Sequence, residues 1–185
     1  MKKLVLAALA LAGMASAASA SVTTNIYSGF TGSGGGAPYS GLVGTLTTPG
    51  ISFATDTGYG WHPFGLGSFG SESLATIDVA TAGNYTFTLN SDDGSLAYID
   101  GGLAVGDGGA HGPTTASGAV FLTAGEHSLD VQFFECCGGA SGVDFTLPTG
   151  VSYNGVPEPA TWTLTFLGVG MLGGALRSRR KAALA

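Results

Sequence analysis

Residues 85–101 read YTFTLNSDDGSLAYIDG, and the fold class follows from their alternation. Tyr85, Phe87 and Leu89 fall on one side of an extended chain and Thr86 and Thr88 on the other, the period-two pattern of a half-buried strand. The run ends in the doubly acidic Asp92-Asp93-Gly94 and resumes as Leu96–Ile99. It then meets Asp100-Gly101-Gly102, where the Asp-Gly pair is a strong hairpin signal. Two strands and two turns in so short a stretch leave no room for a helix.

The same pattern continues on both sides. Glu126–Phe134 sets Leu129, Val131 and Phe133 opposite Ser128, Asp130 and Gln132, and Val143, Phe145 and Leu147 form a third alternating set. Further strands are predicted at Val22–Tyr27, Leu42–Leu46, Leu74–Val79, Leu103–Val105 and Ala119–Leu122. Many short strands, glycine-rich turns and no helical period point to an all-β protein, an antiparallel β-sandwich. Gly29–Gly70, with GSGGGAP and GYGWHPFGLGSFG, is the least strand-like stretch and is expected to wrap the sandwich as loops. Trp61, Phe64 and Phe69 are there either core anchors or an exposed platform for stacking on sugars.

The chain has 185 residues, of which 33 are glycine and 10% are charged. That suits one domain with targeting segments; the glycines lack the G-X-Y period of collagen, and the charge is too sparse for a coiled coil or a charge-rich disordered chain. All six basic residues lie at the ends, at Lys2, Lys3, Arg177, Arg179, Arg180 and Lys181, so residues 4–176 hold all twelve acidic groups and no Lys or Arg. Such a body cannot neutralise phosphates, which excludes nucleic acid as a partner. It cannot form a Schiff base or an arginine clamp either. It favours cations and neutral polar ligands.

The ends read as addresses. Residues 1–20 combine a basic start, the apolar run Leu4–Leu11 and small residues up to Ala20, the three parts of a secretory signal peptide. The β-sandwich domain is expected over residues 21–150, followed by a linker at 151–160. Residues 161–185 carry an uncharged stretch and a basic stop, a short transmembrane helix with Trp162 in the interface and its arginines inside. Pro157-Glu158-Pro159, Trp162, the glycine-containing apolar helix and the Arg177, Arg179, Arg180 cluster together resemble the PEP-CTERM sorting signal. The resemblance implies an exosortase, a membrane-embedded processing enzyme, as partner, the helix as a transient membrane anchor, and export to the cell surface or extracellular matrix of a host that makes exopolysaccharide.

The chemistry concentrates at Asp92-Asp93. Two adjacent carboxylates repel unless something positive lies between them, and without Lys or Arg the available partner is a metal or water. Ca²⁺, a hard cation taking six to eight oxygens, suits them. The alternative is a plain turn in which Asp92 caps N–H groups, Asp93 is solvated and Gly94 supplies a positive φ. Asp107 and His111, in the glycine-rich connection 106–112, are candidate ligand contacts or parts of a solvated loop. Cys136-Cys137 form a bridge between neighbours, stay reduced, or bridge to another chain; adjacent Cα atoms, about 3.8 Å apart, lie below the usual disulfide range.

YTFTLNSDDGSLAYIDG, then GAVFLTAGEHSLDVQFFE, then GVDFTL, resembles the PA-fourteen domain, the β-sandwich first named in anthrax protective antigen. In its sugar-binding members the adjacent aspartates, here Asp92 and Asp93, chelate a Ca²⁺ that in turn holds sugar hydroxyls. The resemblance therefore implies a ligand site at Asp92, Asp93 and Gly94. No catalytic motif accompanies it: G-x-S-x-G and H-E-x-x-H are missing, and His62, His111 and His127 have no nucleophile at motif spacing. The expectation is a non-catalytic, Ca²⁺-dependent module that binds extracellular polysaccharide or adheres to it. The alternative is a structural matrix protein without lectin activity.

Overall fold

The computed structural model describes residues 21–30, 38–53 and 60–154. The expected signal peptide, Pro157, Glu158, Pro159, Trp162, the expected transmembrane helix and Arg177, Arg179 and Arg180 lie outside the described residues. Among the described residues no helix is long and apolar enough to cross a membrane.

Among these residues eleven strands make two antiparallel sheets. The larger has the order β2 (Tyr39–Thr48), β1 (Val22–Phe30), β4 (Phe69–Val79), β9 (Gly125–Glu135), β6 (Ser95–Ile99) and β7 (Gly102–Asp107). The smaller has the order β3 (Ser52–Phe53), β10 (Gly142–Thr146), β5 (Gly83–Asp92) and β8 (Thr114–Leu122). β11 (Val151–Tyr153) pairs with β4 from Val79 to Ile77, on the edge whose other end takes β1 from Leu74 to Gly70. The chain thus enters the body at β1 and leaves it at β11 along one edge of β4. The amide of Asn154 donates to the Thr76 carbonyl at 2.7 Å to close that exit.

Alternation in sequence becomes two apolar faces packed on each other. Ile26, Phe69, Ile77, Leu129, Val131 and Phe133 from the larger sheet meet Phe53, Phe87, Leu89, Val143 and Phe145 from the smaller in one core. Phe69, Phe87 and Phe133 are fully buried, each worth about 1.5–3 kcal/mol in water-exclusion alone. Trp61 stacks on Phe53 at 3.9 Å and meets Phe69 edge-on, so it is a core anchor. Phe64 stays exposed, its ring lying over Gly44.

Two expectations need correction. Besides the strand expected at Leu42–Leu46, which lies within β2, residues 29–70 hold β3 and the start of β4 and so are not simply wrapping loops. Their pattern is masked by small residues. Gly70 carries no side chain because the Tyr39 ring lies where its Cβ would be, while Ser71 and Ser73 face the core, Ser73 sharing a 2.8 Å hydrogen bond with Thr24. Residues 151–153, expected to begin a linker, form β11.

Candidate functional site: a buried carboxylate cluster at one end of the sandwich

β5 belongs to the smaller sheet and β6 to the larger, so the turn between them carries the chain from one sheet to the other. Asp92 closes β5 opposite Gly142 of β10, and the Asp92–Asp93 peptide bond is cis. The turn is braced by a 2.6 Å bond between the hydroxyls of Ser91 and Ser95, and by the Phe134 amide donating to the Gly94 carbonyl at 3.0 Å. Gly94 does not supply a positive φ, the role expected of it in a plain turn. It is glycine because a Cβ there would collide with the Gly109 backbone and the Phe134 ring.

Glu135 ends β9, beside the start of β4, and its carboxylate joins those of Asp92 and Asp93. One oxygen from each lies within 4.8 Å of the others. Asp92 is 8% exposed, Asp93 6% and Glu135 1%. Burial first, and then the charge on Asp93, push the Asp92 and Glu135 carboxyls above the usual carboxylate range, while His111 and loop amides pull the other way. Buried carboxylates so close together carry a cost that a proton or a cation held among them would relieve.

The oxygens are held, not merely crowded. Asp93 Oδ1 accepts from the His111 amide at 2.9 Å and Oδ2 from the Cys136 amide at 3.0 Å. Glu135 Oε1 accepts from the amides of Gly138 at 2.9 Å and Cys137 at 3.3 Å, while its buried Oε2 has no partner among the described residues. The donor set fits Ca²⁺. Ligand oxygens at about 2.3–2.6 Å from a metal can stand up to about 5 Å apart across it, and an orphaned buried carboxylate oxygen is a ready ligand.

The other candidate residues take different places. His111 is brought to the cluster and Asp107, at the end of β7, lies beside it with Oδ1 3.5 Å from the His111 Nε2, yet the imidazole serves the loop. The imidazole meets the carbonyls of Asp107 at 3.1 Å and Gly112 at 2.8 Å, and it is the His111 amide that reaches Asp93. Cys136 and Cys137 form a disulfide with each other, the first of the three possibilities open in the sequence. Glu135 is the member of the cluster that sequence reasoning misses. Its only signal is an acidic residue closing the apolar strand Val131–Phe134, ahead of Cys136-Cys137. A separate depression of about 500 Å³ lies on the larger sheet over Leu74, Tyr98 and Asp130, away from the cluster.

Comparison with known proteins adds to this geometry. A family model described as the PA14 domain matches residues 28–160, and one described as the PEP-CTERM protein-sorting motif matches residues 155–181. No curated protein matches the sequence. Among solved structures, an anti-sigma factor domain-containing protein superposes with a TM-score of 0.57 at 17% identity over 75% of this chain, which spans 46% of that protein. A "PA14 sugar-binding domain from RTX adhesin" gives 0.55 at 17% identity, covering 75% of this chain and 96% of its own. Epithelial adhesin 9 A domain from Candida glabrata, solved with Galb1-4GlcNAc, gives 0.50 at 12% identity over 75% of this chain and 86% of its own. At these identities the likeness concerns the fold.

Proposed function

Because this chain belongs to the PA14 domain family, matched over residues 28–160, we propose that it is an exported surface or matrix module that binds carbohydrate without catalysis, through a Ca²⁺ held by Asp92, Asp93 and Glu135. The observation that carries this reading is the convergence of three buried carboxylates in a body without a single Lys or Arg. Ca²⁺ takes six to eight oxygens, so these three residues leave positions for hydroxyls of a sugar. Asp93 and Glu135 are fixed in advance by amides of the His111 loop and of the segment that carries the disulfide. The acidic body repels anions and accepts neutral glycans.

Neighbours described as a sugar-binding domain and as an adhesin in complex with a disaccharide support the ligand class. The sorting motif at 155–181 supports export, processing by an exosortase and a transient membrane anchor before delivery to the surface.

Calorimetric titration of the full chain in detergent with CaCl2 tests the reading. Heat that vanishes in the Asp92→Asn, Asp93→Asn double variant, with its β circular dichroism intact, supports it and justifies a glycan screen in Ca²⁺. No heat from the folded parent rejects the Ca²⁺ mechanism and leaves the structural matrix role.

A further inference from the structure

The segment that follows Glu135 points three successive amides at the cluster. Cys136 donates to Asp93 Oδ2 at 3.0 Å, and Cys137 and Gly138 both donate to Glu135 Oε1, at 3.3 and 2.9 Å. Behind them the Cys136 carbonyl is held by the Ser68 hydroxyl at 2.7 Å, and Gly138 and Gly139 turn the chain away with φ of 76° and 112°. The peptide unit joining the first two of these donors lies inside the ring closed by the Cys136–Cys137 disulfide. That ring removes the rotations by which Cys136 and Cys137 could turn their amides away from one another. It thereby couples one amide on Asp93 to one on Glu135, two side chains that reach the cluster from different parts of the chain.

We propose that the Cys136–Cys137 disulfide is a positioning element of the cation site: closed, it presets the oxygens of Asp93 and Glu135, and the site takes a divalent cation at full affinity only in that state. The proposal rests on the Ca²⁺ reading above. Sulfur itself is no ligand for so hard a cation; the bridge acts through the amides. Groups that orient metal ligands from behind typically change affinity about 10–100-fold when lost, and that is the size of effect assigned to this ring. Closing it takes two thiols and a disulfide oxidant. By exchange the Sγ–Sγ bond forms, the oxidant's own S–S bond breaks, and two electrons and two protons pass to it. A chain whose thiols are still reduced would therefore hold its cation poorly, and the site would mature with oxidation.

The test is calorimetric titration of the full chain in detergent with CaCl2, in four states. These are the oxidised chain, the chain reduced by dithiothreitol (which leaves as its cyclic disulfide), the same sample reoxidised with glutathione disulfide, and the Cys136→Ser, Cys137→Ser variant. Melting without Ca²⁺ is recorded for each. The expected result is a rise in Kd of about 10–100-fold on reduction and in the variant, reversal on reoxidation, and a Ca²⁺-free melting transition that stays cooperative. An unchanged Kd overturns the positioning role and leaves the Ca²⁺ site standing. Loss of binding that follows loss of the Ca²⁺-free transition overturns it in favour of a bridge that only supports the fold. An oxidised chain that binds no Ca²⁺ overturns both readings together.

Discussion

Asp93-Gly94 and Asp100-Gly101 are the same dipeptide met twice in one short stretch, and the fold puts them to opposite uses. At Asp100-Gly101 both residues are left-handed, with φ of 50° and 76°, and the pair closes the two-residue hairpin from β6 to β7. There the carboxylate lies in the open, 2.6 Å from His127 Nδ1 and 2.9 Å from the Ser128 amide. At Asp93-Gly94 neither residue is left-handed, the chain crosses between sheets, and the carboxylate is buried beside two others. A hairpin turn stays within one sheet and leaves its side chain in water; a crossover passes the mouth of the sandwich and takes its side chain inside. The local dipeptide permits both. What answers the charge is set by which strands arrive beside it: a histidine for Asp100, loop amides and the proposed cation for Asp93.

The largest effect separating the two turns is expected from Ca²⁺. At a hundred times Kd, a ligand bound only to the folded chain stabilises it by about 2.7 kcal/mol, read as a rise in Tm. Asp100→Asn should leave that rise intact, whereas Glu135→Gln should remove most of it; equal losses in both would dissolve the contrast.

Next come the glycines. Gly94→Ala drives a methyl into the Gly109 backbone and the Phe134 ring and should cost about 1–3 kcal/mol by overpacking. Gly101→Ala meets no atom within 4 Å and suffers only for its left-handed φ, about 1–2 kcal/mol. Chemical denaturation measures both, and only the first should also weaken Ca²⁺ binding.

The smallest effect is a pH signature confined to the hairpin. The hydrogen bond to Asp100 holds the His127 imidazole above its ordinary 6.5, and the same bond holds the Asp100 carboxyl below its ordinary 3.8. Their contribution is complete between about pH 4 and 6.5, where both are ionised in either state. It is lost on one side as pH rises through the raised value of His127, and on the other as pH falls through the depressed value of Asp100. In His127→Gln both limbs of the stability profile should flatten, with Ca²⁺ affinity unchanged; a profile that keeps its shape removes the pair from the comparison.

Most of the sandwich is legible in the sequence because strands whose faces differ in polarity write that difference into it. Tyr85–Leu89, Leu129–Phe133 and Val143–Phe145 all show the alternation that the two sheets use. β11 and the early part of β4 are not legible, for a physical reason. Ser71 and Ser73 are buried polar residues, Ser73 paired with Thr24, so their strand never looks apolar, and Val151–Tyr153 is too short to show a period. The cluster is half legible. Adjacency announces Asp92 and Asp93, but Glu135 reaches them only because β9 runs the full length of β4 and ends at the mouth of the sandwich. Gly94 looks like a left-handed turn glycine, and nothing in one sequence could say that its missing Cβ makes room for Gly109 and Phe134.

The shared edge of β4 has a mechanical meaning. Tension entering through residue 154 arrives first at the three-residue β11, laid along β4 between Ile77 and Val79. Tension entering at Ser21 arrives at β1, paired with β4 beginning at Leu74. β4 itself is bound to β9 through all eleven of its residues, and β9 leads to Glu135. Under load the weak grip is β11, so a stretched chain gives there first, lengthening by one short peeled strand while the far end of the sandwich keeps its shape.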